Sequence, residues 1–181
     1  MRGPVDRAQL ERFMELLGRA ADREARVYLT GGTTALLEGW RDSTVDIDLR
    51  IEPESDRLLR AIPEIKERLG LNIELASPID FIPPAEGWAS RSRFIARHGK
   101  LTFLQFDFYL QALAKIERGH AQDLTDVGEM FRRGLIEPEE LRTRFEQIHK
   151  DLYRYPALDP VGFRHAVEAV IGEAATPAAS D

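Results

Sequence analysis

The periodicity of apolar and polar positions changes along the chain near residue 107. Before that point, apolar runs and strict alternation predict strands over 25–30, 45–51, 71–76, 94–97 and 101–106. Helical spacing in the same part predicts helices over 6–18, 33–38 and 55–69. After it, apolar residues recur three and four positions apart and predict helices over 108–118, 121–132, 137–152 and 160–171.

These elements predict an α/β (α+β) fold: a small mixed β-sheet with flanking helices, followed by a C-terminal helical bundle. We expect an α/β core over 1–106, a helical region packed on it over 107–173, and a disordered tail of small and polar residues over 174–181. Pro63 falls inside the helix predicted over 55–69, where the missing N–H favours a kink or a break.

Composition narrows the classes of function. The chain of 181 residues contains no cysteine, which excludes disulfides, thiolate metal sites and a cysteine nucleophile. Its net charge of −6 argues against a surface that attracts nucleic acid as a whole. No apolar run reaches transmembrane length, and the first residues lack the apolar core of a signal peptide. We therefore expect a cytoplasmic protein with no membrane partner.

Two aspartates share one face of the strand predicted over 45–51. Successive side chains of a strand point to opposite faces, so Asp46 and Asp48 lie together while Ile47 and Leu49 fill the other face. Two neighbouring carboxylates repel each other unless a cation lies between them. Such oxygen ligands suit Mg²⁺, whose remaining ligands are usually waters and substrate phosphates. The alternative is a solvated strand face, the commoner meaning of an isolated Asp-x-Asp.

A glycine pair precedes these aspartates, between a predicted strand and a predicted helix. Gly31 and Gly32 let the backbone approach a phosphate closely, and the helix that they open offers backbone N–H groups. Thr33 adds a hydroxyl at the helix start. A glycine pair alone is usually a turn and Thr33 alone usually a helix cap. The combination with the aspartates, in this order, favours a phosphate site beside a metal site.

The two stretches, Gly31-Gly32-Thr33 and Arg41-x-x-Thr44-x-Asp46-Ile47-Asp48-Leu49, resemble the signature of the nucleotidyltransferase fold of the DNA polymerase β superfamily. The similarity is greatest to the minimal nucleotidyltransferases and to the AbiEii-type toxin nucleotidyltransferases. The superfamily's usual Gly-Ser is Gly-Gly-Thr here, a variant known in the AbiEii-like branch. The resemblance implies transfer of a nucleotidyl group from an NTP with the help of two Mg²⁺ ions.

The resemblance also implies roles for single residues. Asp46 and Asp48 would bind the metal. The nucleotide-binding residues would be Gly31, Gly32, Thr33 and Thr44. In the resembled superfamily a third metal-binding carboxylate lies on a strand beside the Asp-x-Asp strand, and Glu74 is the candidate for it in this chain. A solvated glutamate is the equal alternative, because the superfamily's usual residue is Asp.

A second stretch, Lys115-Ile116-Glu117-Arg118 followed by Gln122-Asp123-Leu124-Thr125-Asp126, resembles the Lys…Arg…Asp-Leu-x-Asp motif that follows the sheet in AbiEii-like enzymes. The resemblance implies that Lys115 holds NTP phosphate. It implies that Asp123 or Asp126 orients Lys115, acts on the attacking hydroxyl or braces the site. A lysine is a compact donor for phosphate, and a nearby carboxylate keeps it charged and aimed. The alternative is an ordinary charged helical hairpin.

The predicted catalytic residues are therefore Asp46, Asp48, Lys115 and Asp123, and the acceptor is left open. The resemblance implies a hydroxyl of RNA, tRNA or protein, and the toxin of a toxin–antitoxin pair with a cognate antitoxin as partner. An alternative of another class is a catalytically inactive nucleotidyltransferase-like binding or antitoxin module. An antibiotic-modifying enzyme fits the second motif less well. Arg91 or Arg93 is a further candidate for triphosphate, against the simpler interpretation of a surface arginine.

Overall fold

A computed structural model of the protein describes residues 3–176, which form two compact units. The first unit comprises the chain up to Ser77 together with Ser92–Phe106. The second comprises Pro78–Arg91 together with the chain from Asp107 onwards. Residues 78–91 thus interrupt the first unit in the sequence and belong to the second.

Helices and strands follow one another along the described chain largely as their patterns predict. They are α1 Arg7–Ala20, β1 Ala25–Thr30, α2 Gly32–Glu38, β2 Asp46–Glu52, α3 Asp56–Leu69, β3 Asn72–Leu75, α4 Trp88–Arg91, β4 Arg93–His98, β5 Leu101–Gln105, α5 Phe108–Arg118, α6 Ala121–Arg132, α7 Pro138–His149 and α8 Pro160–Ala175. Two short 3-10 turns cover Pro78–Asp80 and Leu152–Arg154. The predicted class, a mixed sheet with flanking helices and further helices at the C-terminus, is confirmed.

The sheet has five strands in the order β3-β2-β1-β5-β4. β1 pairs antiparallel with β2 and parallel with β5, whereas β2 pairs parallel with β3 and β4 antiparallel with β5. The register places Thr30 opposite Asp48, and Asp48 beside Glu74. The end of β1, the start of β2 and the start of β3 therefore meet at one end of the sheet.

Local signals explain where the two long helices of the first unit begin and which face they bury. Asp6 caps α1 by accepting from the N–H of Gln9 at 2.8 Å, and Gln9 accepts in return from the N–H of Asp6 at 3.0 Å. The hydroxyl of Ser55 caps α3 in the same way. The buried faces of both helices join the buried side of the strands in one apolar cluster, which includes Phe13, Leu29 and Ile47. This cluster leaves the other face of β2 to its polar residues.

Four details differ from the sequence-based expectation. α3 runs unbroken through Pro63, because its buried stripe, which includes Leu58 and Ile62, keeps the helix packed. Leu75 is 52% exposed. It is the last residue of an edge strand, and the face of the strand on which it lies is not covered there. The helix predicted over 137–152 ends at His149 and is followed by a 3-10 turn. α8 continues to Ala175, and residues 177–181 of the predicted tail lie outside the described residues.

The second unit contains a helical hairpin, α5–α6, and a second helix pair, α7–α8. Asp107 caps α5 by accepting from the N–H of Tyr109 at 3.2 Å, and Gly119 ends it with φ of 70°. The rings of Phe145 and Phe163 join α7 to α8 edge to face, with centroids 5.0 Å apart. Within residues 3–176, no helix has the length and apolar character that crossing a bilayer requires.

Two helical glycines allow the effect of close packing on stability to be distinguished from the effect of intrinsic helix propensity. An alanine methyl at Gly18 of α1 would lie 2.6 Å from both Cβ and the backbone oxygen of His98, whereas Gly128 of α6 faces open space. We expect Gly18→Ala to lower the free energy of unfolding by about 1–3 kcal/mol, because a backbone neighbour cannot yield cheaply.

Gly128→Ala is the matched control and should raise the free energy of unfolding by about 0.5–1 kcal/mol, because alanine forms helix better than glycine. Urea unfolding monitored by circular dichroism measures both variants. A stabilised Gly18→Ala protein would contradict the packing of α1 against the end of β4.

Candidate functional site

The turn between β1 and α2 packs directly against β2 and the loop before it. Gly31 has φ of 69°, and a methyl group there would overlap the carboxylate of Asp48. A methyl group at Gly32 would overlap the side chain of Thr44, with only 2.8 Å to its Cβ. The glycine pair is therefore required by the close approach of two side chains, in addition to the backbone conformation at Gly31.

The two aspartates of β2 share a face, as the alternation predicts. Ile47 and Leu49 are fully buried on one side of the strand, while Asp46 and Asp48 are half-buried on the other. The side-chain amide of Asn72, on the neighbouring strand β3, donates a short hydrogen bond to Oδ1 of Asp46. The carboxylates thus lie at the end of the sheet where the glycine turn also lies.

Glu74 lies on β3, next to β2 and in register with Asp48. Its Oε1 accepts a hydrogen bond of 3.1 Å from Nδ2 of Asn72, the amide that also binds Asp46. Among residues 3–176, no group of three or more His, Asp and Glu side chains is arranged to hold a metal ion. The role of Glu74 as a third metal ligand therefore stays a prediction.

The two threonines are anchored by different contacts. Thr33 is fully buried, and its hydroxyl donates to the backbone oxygen of Thr30 at 2.6 Å. The backbone of Thr44 exchanges two hydrogen bonds with Val5, of 2.7 and 2.9 Å. Thr33 thus directs its hydroxyl proton into the turn, and Thr44 is fixed against the N-terminal segment with its side chain on Gly32.

The donor set of the first unit fits a magnesium ion. Asp46 and Asp48 offer carboxylate oxygens from a rigid strand, and Asp48 lies against the glycine turn. Mg²⁺ is usually held by one or two carboxylates, with substrate phosphates and waters completing its shell. A backbone turn without side chains lets phosphate oxygens come close to that carboxylate. The arrangement is therefore suited to a metal–phosphate complex.

The second unit holds a cluster of four charged side chains, of which Lys115, Asp123 and Asp126 are buried and Arg118 is exposed. Nζ of Lys115 lies 2.8 Å from Oδ2 of Asp126 and 3.3 Å from Oδ1 of Asp123. Arg118 binds both oxygens of Asp123, with its Nε and Nη2 each at 2.6 Å. Lys115, Asp123 and Asp126 are 7%, 4% and 1% exposed. These three residues are therefore not a solvated helix face.

Burial and the neighbouring cations act on the pKa of Asp123 in opposite directions. Burial alone would raise the pKa of Asp123, but the hydrogen bonds from Arg118 and the charges of Lys115 and Arg118 outweigh it and lower the pKa. The stability that this gives is present above the ordinary carboxyl pKa and is lost as the pH falls through the lowered pKa. Asp123 is therefore held as a carboxylate at neutral pH.

The structure gives definite partners, which the sequence did not predict, to two arginines. Arg118 belongs to the quoted motif but had no role assigned to it. The signal that could have indicated its contact is its position five residues before Asp123, with Gly119 between them. Arg91, a candidate for triphosphate, binds Oδ2 of Asp107 at 2.7 Å and donates to the backbone oxygen of Glu86 at 2.6 Å. Arg91 therefore has a structural contact within the second unit.

The sequence-predicted residues are divided between the two units. The first unit contains Gly31, Gly32, Thr33, Thr44, Asp46, Asp48 and Glu74. The second contains Lys115, Asp123 and Asp126. Within each unit these residues lie in the contacts described above, and their roles in catalysis stay predictions.

Comparison with known proteins gives one family and one distant relative. The family described as "Nucleotidyltransferase of unknown function (DUF6036)" matches residues 8–161. An ornithine carbamoyltransferase of Sulfolobus acidocaldarius is 28% identical over 120 residues, which cover 66% of this chain. The aligned part is 37% of that protein's length, so the chain spans well under half of the curated relative that it matches. No solved structure matches.

The matched residues include the glycine pair and the Asp-x-Asp strand of the first unit, which lie against each other. They cover both the sheet and the helical hairpin that carries Lys115. The chain therefore belongs to the family of nucleotidyltransferases of unknown function, DUF6036.

Proposed function

We propose that the protein is a Mg²⁺-dependent nucleotidyltransferase that moves an NMP group from an NTP to a hydroxyl acceptor. The observation that supports this most is the packing of the Gly31–Gly32 turn against Asp48 and Thr44. This packing places, within one compact unit, a glycine turn next to a carboxylate pair suited to magnesium. Either feature alone is common, but a metal–triphosphate complex would need both of them side by side.

In this proposal each residue of the first unit has a distinct task. Asp46 and Asp48 hold magnesium, which when bound supplies positive charge that neutralises the triphosphate. The backbone of Gly31, Gly32 and Thr33 binds the β- and γ-phosphates. The acceptor hydroxyl gives its proton to solvent water and its oxygen forms a bond to the α-phosphorus, while the bond from that phosphorus to the β-phosphate oxygen breaks and pyrophosphate leaves. The protein contributes mainly position and electrostatics.

In the second unit, Lys115 would hold phosphate, with Asp123 and Asp126 holding the lysine in position. The contacts of 2.8 and 3.3 Å to these carboxylates support the orienting part of this role. The contact with phosphate itself rests on the resemblance to AbiEii-like enzymes. Arg118 neutralises Asp123 from the other side, so Lys115 is not the sole counter-charge of two carboxylates.

The acceptor proposed here is RNA, tRNA or protein, and the biological role is that of a toxin with a cognate antitoxin. Both rest on the AbiEii-type resemblance alone. Incubation of the purified protein with each labelled NTP, Mg²⁺ and total RNA or a cell lysate tests the proposed acceptor. Label transferred to RNA identifies a nucleic acid acceptor, and label transferred to polypeptide identifies a protein acceptor.

One observation favours a second candidate, an inactive nucleotidyltransferase-like binding module. The amide of Asn72 donates to both Asp46 and Glu74, so a neutral side chain already bridges two of the carboxylates. A module that binds a partner without metal would keep such a bridge. Transfer activity with any NTP would exclude this candidate.

Replacement of either aspartate tests the proposed metal pair. We expect Asp46→Asn and Asp48→Asn each to lower the transfer rate by about 100-fold or more, because each removes an anionic metal ligand. The metal-free melting temperature should hold or rise, since each change relieves repulsion between like charges. Asp42→Asn, an exposed position in the preceding loop, is the matched control and should transfer normally. Full activity of both strand variants would overturn the proposal.

Ligand binding should stabilise the protein cooperatively. We expect Mg²⁺ and an NTP together to raise the melting temperature more than the sum of the two separate shifts, because each ligand completes the site for the other. Differential scanning fluorimetry with the four NTPs, with and without Mg²⁺, measures this. The absence of any shift for all four NTPs would favour the inactive module.

Variants of Lys115 separate its structural from its functional role. Lys115→Met keeps the aliphatic stem but removes a cation next to buried Asp126, so we expect a loss of about 3 kcal/mol in unfolding free energy. Adding Asp126→Leu should restore most of that stability, because it removes the buried carboxylate as well. If Lys115 holds phosphate, both proteins lose NTP use, while Lys115→Arg retains part of it because the charge survives. A double variant with wild-type transfer kinetics would remove Lys115 from the reaction.

A further inference from the structure

Arg41 lies in the loop between α2 and β2, which folds back over its own helix. The backbone N–H groups of Gly39, Trp40 and Arg41 all point to the oxygen of Ala35, at 3.0, 3.1 and 3.3 Å. This turn brings the side chain of Arg41 to the glycine pair, since a methyl group at Gly32 would lie 3.7 Å from its Nη1. A guanidinium group therefore lies beside the backbone of the turn.

The glycine turn is consequently flanked by opposite charges. The carboxylate of Asp48 packs against Gly31, and the guanidinium of Arg41 lies next to Gly32. Adjacent Cα atoms are about 3.8 Å apart, so the two charges lie at neighbouring residues of one turn. A bare polyphosphate is repelled by a carboxylate and attracted by a guanidinium. The side of the turn next to Asp48 thus suits the part of a polyphosphate that carries the metal ion. The side next to Arg41 suits the metal-free, negatively charged end of the polyphosphate.

We propose that Arg41 binds the terminal phosphate of the nucleotide and makes the protein select NTP over NDP. The inference rests on the proposed function and adds a specificity-determining residue to it. The planar guanidinium presents several donors in a fixed fork that fits two phosphate oxygens at once. The third phosphate carries the extra charge that distinguishes an NTP from an NDP.

The bond changes at the α-phosphorus do not themselves select between an NTP and an NDP. In both nucleotides the acceptor oxygen bonds to the α-phosphorus and the bond to the β-phosphate oxygen breaks. The leaving group is pyrophosphate from an NTP and inorganic phosphate from an NDP. Contacts to the α- and β-phosphates cannot separate the two donors, so selection requires groups that meet the third phosphate. The turn backbone would offer that phosphate neutral N–H donors, and Arg41, on the Gly32 side of the turn, would add a full positive charge.

Nucleotide binding to the full chain tests the proposal without knowledge of the acceptor. Isothermal titration in Mg²⁺ first ranks the four NTPs, and the tightest is then compared with its own NDP and NMP. We expect Arg41→Ala to weaken NTP binding by roughly 10- to 100-fold, the range for a lost hydrogen bond to a charged group. Binding of the NDP and NMP should change by less than about threefold. Arg41→Lys should retain part of the preference, because it keeps the charge but not the fork.

Arg97→Ala is the matched control. Arg97 is an arginine of the same unit whose Nη2 binds Oε2 of Glu24 at 2.6 Å, and its loss should leave the preference for NTP unchanged. An Arg41→Ala protein with the wild-type ratio of NDP to NTP dissociation constants overturns the role of Arg41 while leaving the proposed function intact. Equal weakening of NTP, NDP and NMP overturns it too, because a purely structural role would produce that result. A wild-type protein that binds none of the four NTPs overturns both.

Discussion

The close contact between the Gly31–Gly32 turn and the β2 segment is the constraint on which the chemistry of the first unit depends. A turn with no side chains lets the Asp48 carboxylate and the Thr44 side chain come to contact distance of the backbone. Val5 holds Thr44 in place through two backbone hydrogen bonds, so the N-terminal segment supports the turn indirectly. Carboxylate oxygens, which attract cations, and backbone N–H groups, which attract anions, thereby lie side by side at one end of the sheet.

The second unit raises a different energetic question, because it buries charged side chains. Lys115 is buried with Asp123 and Asp126 in the α5–α6 hairpin, and the exposed Arg118 binds Asp123. Such buried pairs seldom stabilise a fold more than apolar side chains of the same volume would. Stability alone is therefore a weak explanation of the cluster, and the role proposed for Lys115 in holding phosphate would explain it better. Arg118 binds both oxygens of Asp123, and Asp126 is the nearer partner of Lys115.

Much of the fold could be predicted from local sequence signals, but some features depend on contacts between residues far apart in the sequence. Alternation along β2 was enough to place Asp46 and Asp48 on one face, and Asp6, Ser55 and Gly70 marked the ends of α1 and α3. The parallel pairing of β1 with β5 joins segments far apart in sequence, and no local pattern encodes it. The unbroken course of α3 through Pro63 likewise depends on tertiary packing, which outweighs the lost hydrogen bond.

The contact between Gly32 and Thr44 has a consequence for variation among related sequences. Gly32 does not have a positive φ, so its backbone conformation would accept other residues, and only the Thr44 side chain demands glycine there. The side chains at positions 32 and 44 compete for one small volume, which only one of them can fill. A serine after the first glycine needs a smaller residue on the loop, and a threonine on the loop needs a second glycine. Gly-Ser and Gly-Gly are thus two solutions of one packing problem, and the two positions should change together during evolution.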